Sequence, residues 1–284
     1  MKKVRVLISL LVLGIPAVAS AQSREAQTHS WGGYHWARTA NPFNVKLQSN
    51  LTLDWPGHLT TASTDWTSSS VLNAPVVAGS TGSTTRRRCT MALGHVVVCN
   101  YAYGNNGWLG LASINITGGT HITQGSVKVN DSYSMNTAEK LHVMCQEVGH
   151  TFGLDHQSTS GASLNTCMDY YSNTSSSDTL STHPNAHDYA ELGTIYAHLD
   201  STNTSFLTAG TETSGAGRIP AMNQIALDGP GQWGVEVERS EDGRFSTFVL
   251  DFGSGNQTVT HVTWADDATD DDGNPRVNRG VRSR

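Results

Sequence analysis

The chain has 284 residues, 37% of them hydrophobic, and 18 Lys and Arg against 24 Asp and Glu give a formal charge of −6. That length supports one medium domain with its own core plus an appendage. The acidic balance argues against nucleic acid as a partner, because the Arg86-Arg87-Arg88 run stands alone and reads as a solvated loop.

Residues 1–21 combine a basic start (Lys2, Lys3, Arg5), an apolar run from Val6 to Ile15 and the small-residue pattern Ala19-Ser20-Ala21. This pattern predicts a secretory signal peptide cut after Ala21. The apolar run is about half of the roughly 20 residues a membrane helix needs, and no later segment is long or apolar enough to span. The expectation is a secreted protein, extracellular or periplasmic, with no membrane span. Cleavage would remove three cations and no anion, taking the charge from −6 to −9.

Residues 22–200 alternate strand and helix signals. Positions 43–47 (FNVKL) read as a strand, and Asp54 and Pro56 open a helix in which Trp55, Leu59, Ala62 and Trp66 share a face. Strands are predicted at 74–77, 95–100, 109–116 and 125–129. Asn136 and Glu139 then form a capping box for a helix whose buried stripe is Leu141, Met144, Cys145, Val148 and Phe152. Gly153 stands where a left-handed residue ends a helix. A Ser/Thr/Asn-rich loop at 172–182 leads, past Pro184, to a helix at 186–199 with Tyr189, Leu192, Tyr196 and Leu199 on its apolar side. The elements predict an α+β fold, a mixed twisted sheet with packed helices.

Residues 201–217 read as a flexible linker. Residues 218–265 carry two strands joined around Asp242-Gly243 and a third at 259–264, a small C-terminal β appendage. The 266–284 segment reads as a disordered tail, whose Asp267, Asp270, Asp271 and Asp272 lack the spacing of a calcium loop. Four cysteines in an exported chain predict two disulfides with three possible pairings. Sequence proximity favours Cys89 with Cys99, leaving Cys145 for Cys167, and no spacing resembles a Cys-x-x-Cys zinc knuckle.

The stretch Gln146-Glu147-Val148-Gly149-His150, followed by Gly153 and His156, carries the chemistry. Gln146 and His150 lie one helical turn apart, about 40° from each other, so both can reach one point outside the helix. Glu147 sits on an adjoining face, and His156 follows the bend at Gly153. Three protein ligands and one open position make a catalytic zinc site, and a carboxylate beside the metal's water serves as general base. Glutamine is a poorer zinc ligand than imidazole. His142 cannot replace it, lying about 12 Å along the axis from His150. His35, His58, His95, His121, His183 and His187 show no ligand spacing to this helix, and His121, before a strand, is a minor candidate for a structural metal.

QEVGHTFGLDH, followed by Cys167-Met168-Asp169-Tyr170, resembles the metzincin clan of zinc endopeptidases, and within it the matrixin-like secreted enzymes, over residues 31–199. The departure is Gln146 in place of the first histidine. The resemblance implies zinc held by Gln146, His150 and His156, Glu147 as catalytic base, a methionine turn at Met168 beneath the metal, and Tyr170 as an oxyanion donor. It also implies that strand 109–116 is a free edge on which a peptide or protein substrate adds as a strand. The expected function is therefore a secreted, monomeric zinc endopeptidase, the alternative an inactive protein of the same fold that binds peptides.

Overall fold

Strands rich in Val and Ile organise the fold, and the computed structural model describes residues 29–158, 162–171, 176–177, 179–208, 222 and 225–265. The signal peptide at 1–21, the linker positions 209–217 and the tail at 266–284 lie outside the described residues.

The main sheet takes β5 (Val76–Ala78), β3 (Lys46–Asn50), β6 (His95–Tyr101), β8 (His121–Asn130), β7 (Trp108–Thr117), β11 (Asn256–Trp264), β10 (Phe245–Gly253) and β9 (Val235–Arg239) in that order. The first four run parallel to one another and the rest alternate in direction. The short strand β1 (His35–Trp36) joins the start of β8 in parallel, pairing His35 with His121. A separate pair, β2 (Phe43–Asn44) and β4 (Leu72–Asn73), flanks the sheet.

Helix α3 (Thr137–His150) begins at the predicted capping box, where Asn136 accepts from the Ala138 and Glu139 amides and Glu139 reaches back to the Asn136 amide. Its apolar stripe packs on α1 (Trp55–Thr67), and the Trp66 indole N–H donates to Cys145 O at 3.1 Å. Val143 and Glu147 press on β7 so closely that a Cβ on Gly110 would lie 2.6 Å from Val143 Cγ1. At the helix end Gly153 has φ +95°, and a Cβ there would meet Tyr34 O at 2.0 Å. Only glycine fits the bend. Among the described residues no helix is long and apolar enough to cross a membrane.

The disulfides are Cys89–Cys99 and Cys145–Cys167, as sequence proximity favours. The second ties α3 to the turn that carries Met168. Two disulfides fit a chain folded in an oxidising compartment.

Several expectations change. The C-terminal strands are not an appendage: β11 pairs along β7 from Gln257↔Ile116 to Trp264↔Trp108, and β10 and β9 extend the same sheet. Their apolar residues Trp233, Phe248, Val262 and Trp264 build a second core with Trp108 and Leu111. Strand 109–116 therefore has no free edge, since β8 lies on one side and β11 on the other. The reason is length and pattern: an alternating strand of nine residues buries far more when added to an existing sheet than in an isolated hairpin. Arg86, Arg87 and Arg88 close a short helix, α2 (Ser83–Arg88), rather than a loop. Helix α4 (Ala186–Ile195) stops before the predicted 199, and Leu199 is exposed. The first part of the expected linker is docked, because Thr204 exchanges hydrogen bonds with both the amide and the carbonyl of Ala37 and Ser205 is buried.

Candidate metal centre

The polar face of α3 is buried against strand β11 and the turn that carries Met168. Period-two alternation puts Val259, His261 and Thr263 of β11 on the α3 side, while Val262 and Trp264 enter the second core. The register His261↔Ala112 and Thr263↔Gly110 sets both polar side chains over Glu147.

Three imidazoles meet there. His150, His156 and His261 offer nitrogen atoms that all lie within 4.8 Å of one another. The ring centroids are 4.0 Å apart for His150 and His261 and 4.7 Å for His156 with each of the others. His150 Nδ1 lies 2.9 Å from Leu154 O, so it carries the proton and Nε2 presents a lone pair. His261 is oriented the same way by Glu147, whose Oε2 is 3.0 Å from Nδ1. The Nε2 atoms of His150 and His261 and both ring nitrogens of His156 are buried without a hydrogen-bond partner, though His156 Nδ1 stands 3.5 Å from Asp155 Oδ1. Trp31 stacks flat on His150 at 4.8 Å.

The electrostatics suit a cation. Burial drives His150 and His156 well below the ordinary histidine value and His261 down to about 3, so all three are neutral ligands-in-waiting. Glu147, fully buried, is pushed up to about 7 by burial, against the opposing pull of His150, Thr263 and the Ala112 amide. Unpaired buried nitrogens cost stability, and a transition-metal ion is the partner that three converging imidazoles fit. Zinc–nitrogen bonds of about 2.0–2.1 Å imply donors about 3.4 Å apart, so this donor set would contract slightly around the ion.

The predicted residues divide into two groups. His150 and His156 come together, Glu147 lies beside them, and Met168 lies beneath the helix, where a Cβ on Gly149 would meet its Sδ at 2.6 Å. Gln146 is engaged elsewhere: Nε2 donates to Cys167 O at 2.9 Å and Asp169 O at 3.1 Å, and Oε1 accepts from Thr263 Oγ1 at 3.1 Å. Its amide braces the methionine turn, and His261 is the third imidazole. Tyr170 packs 4.1 Å from the His156 ring and stacks on Phe245 of β10, with its hydroxyl bonded to the Glu238 side chain.

His261 escapes sequence reasoning because 114 residues separate it from Glu147. One signal is present in the sequence, a histidine at an alternating strand position in a chain where Gln146 stands at the place of an expected histidine. No protein-family model and no curated protein matches the chain.

Proposed function

We infer that the chain is an exported zinc-dependent endopeptidase of metzincin type, held latent by its own C-terminal strands. The observation that carries this reading is β11 lying antiparallel on β7, where a substrate strand would add, and presenting His261 to His150 and His156.

In the latent state His150, His156 and His261 would hold the ion, with Leu154 O and Glu147 fixing two of the three rings. Bound zinc would lower the pKa of a water to about 7 and polarise a carbonyl oxygen. Glu147 beside that water would take its proton on a carboxylate oxygen and return it to a leaving amine. Here that carboxylate is occupied instead, by His261 Nδ1 on one oxygen and Thr263 Oγ1 at 2.6 Å on the other. Displacing β11 would free the carboxylate and the β7 edge together, and would release Gln146 Oε1 from Thr263 to take the position that His261 leaves beside His150 and His156.

A second reading is supported by the Gln146 contacts and by the burial of every donor. In it the centre is a permanent structural metal site and the chain cleaves nothing, in keeping with closed structural sites and open catalytic ones. The test uses the zinc-loaded chain with a protease site inserted at 209–217, nicked and assayed on a peptide library in urea below the unfolding midpoint. Cleavage that appears only after nicking and vanishes in Glu147→Gln supports the endopeptidase. A nicked, folded, zinc-bound chain that cleaves nothing leaves the structural site.

A further inference from the structure

A second constellation lies outside the α3 centre, where β1, the start of β8 and the segment after α4 meet. His35 Nε2 and His198 Nε2 are 3.1 Å apart. Asp200 Oδ1 lies 3.5 Å from His35 Nε2, 3.3 Å from His121 Nε2 and 3.5 Å from His198 Nε2. The His35 ring meets those of His121 and His198 edge-on, at interplanar angles of 83° and 88°. The donor atoms of His35, His198 and Asp200 all lie within 4.8 Å of one another, and His121 meets the same carboxylate oxygen from β8.

The spacing fits a metal site. Ligand bonds of about 2.0–2.1 Å in a tetrahedron separate the donors by about 3.4 Å, and the four distances above straddle that value.

The surroundings fix two of the donors, His35 and Asp200. His35 Nδ1 is 2.8 Å from Gly33 O, which can only accept, so its Nε2 bears the lone pair. The other oxygen of Asp200, Oδ2, accepts from the buried Arg38 guanidinium at 2.8 Å and from the Arg38 amide at 3.1 Å, which aims Oδ1 at the histidines. Arg38 also donates to His198 O. Groups that orient metal ligands in this way are a usual accompaniment of a built site.

We propose that His35, His198 and Asp200 form a second site for a zinc-class transition-metal ion, independent of the centre on α3, with the part-exposed His121 ring turning in from β8 as the fourth ligand. Imidazole-rich sets favour zinc, copper or nickel over calcium or magnesium, which take oxygen. With all four positions filled by protein the site has no place for a substrate, so its role is structural. It pins the first strand of the domain to β8 and to the chain leaving α4, the same junction that Thr204 and Ala37 close by hydrogen bonds.

The experiment equilibrates the full chain with zinc alone, removes free ion, and measures bound metal and chelator competition. Variants are H198Q, H121Q, H156A, the H156A/H198Q double and the control H183Q. His198 and His121 are 57% and 35% exposed, so their replacement leaves the core untouched. Losing a group that only supports a ligand costs about 10–100-fold in affinity, and losing a donor should cost at least about 100-fold at this site. H198Q and H121Q should each lose one equivalent, H183Q none, and zinc should raise the Tm of H156A but give a smaller rise in H156A/H198Q. Cobalt bound to H156A should show the intense visible bands of a tetrahedral ion. An H121Q/H198Q double variant with the parent's zinc content and Tm response overturns the site. Loss of metal in H156A but not in H198Q overturns this proposal alone, while the reverse supports it and removes the α3 centre.

Discussion

Replacing His261 by glutamine tests the α3 centre at the residue the motif does not contain. The change is best made in an H198Q background, so that the second site does not contribute metal. Without zinc, the variant loses the hydrogen bond from His261 to a buried carboxylate, a contact to a charged group worth about 1.5–3 kcal/mol. For a domain of this size about 2 kcal/mol corresponds to a Tm lowered by about 4–8 °C. With zinc at about 1,000 times its Kd, the parent gains about 4 kcal/mol and the variant, reduced to His150 and His156, gains little. The assay is differential scanning calorimetry with and without zinc, paired with chelator competition. An H261Q variant that binds zinc as tightly as its parent would refute the assignment of His261 as a ligand.

Gly149→Ala would set a methyl group 2.6 Å from Met168 Sδ and from Trp66 Cζ2, and urea denaturation should show a loss of about 1–3 kcal/mol despite the better helix propensity of alanine. Converting Cys145 and Cys167 together to alanine should cost about 3 kcal/mol, read as a lower urea midpoint, since the bridge closes a loop of 22 residues. His142 is buried with Nδ1 2.7 Å from Ser181 O, and burial lowers its pKa to about 4. Its folded value lies below its unfolded value, so its contribution is present above pH 6.5 and is lost as the pH falls through about 4. The stability difference between the metal-free parent and His142→Asn should therefore shrink by about 3 kcal/mol between pH 6.5 and pH 4, and a flat difference would contradict the burial argument.

The parts of the fold written in local sequence were legible. Asn136 and Glu139 announce α3 because a capping box needs only residues three apart, and Gly153 announces its end because its backbone angle excludes other residues. Strands β10 and β11 were visible as strands, but not as partners of β7, since alternation reports that one face is buried and not against what. The candidate site divides in the same way. His150, Glu147 and His156 follow from helical spacing, whereas His261 and the His35, His121, His198 and Asp200 set are assembled by pairing between distant segments. Gln146 misled because glutamine has the reach of a ligand, and only the carbonyls of Cys167 and Asp169 reveal that its amide serves the turn.

Strand β11 is read from both sides at once: Val259, His261 and Thr263 answer to the helix, and Val262 and Trp264 to the tryptophan cluster. Sliding it by a single residue would send the imidazole into grease and an indole onto a carboxylate. An ion clasped by His261 would thus act as a proofreader of alignment, rewarding only the one docking of the last strand in which every side chain faces its own compartment.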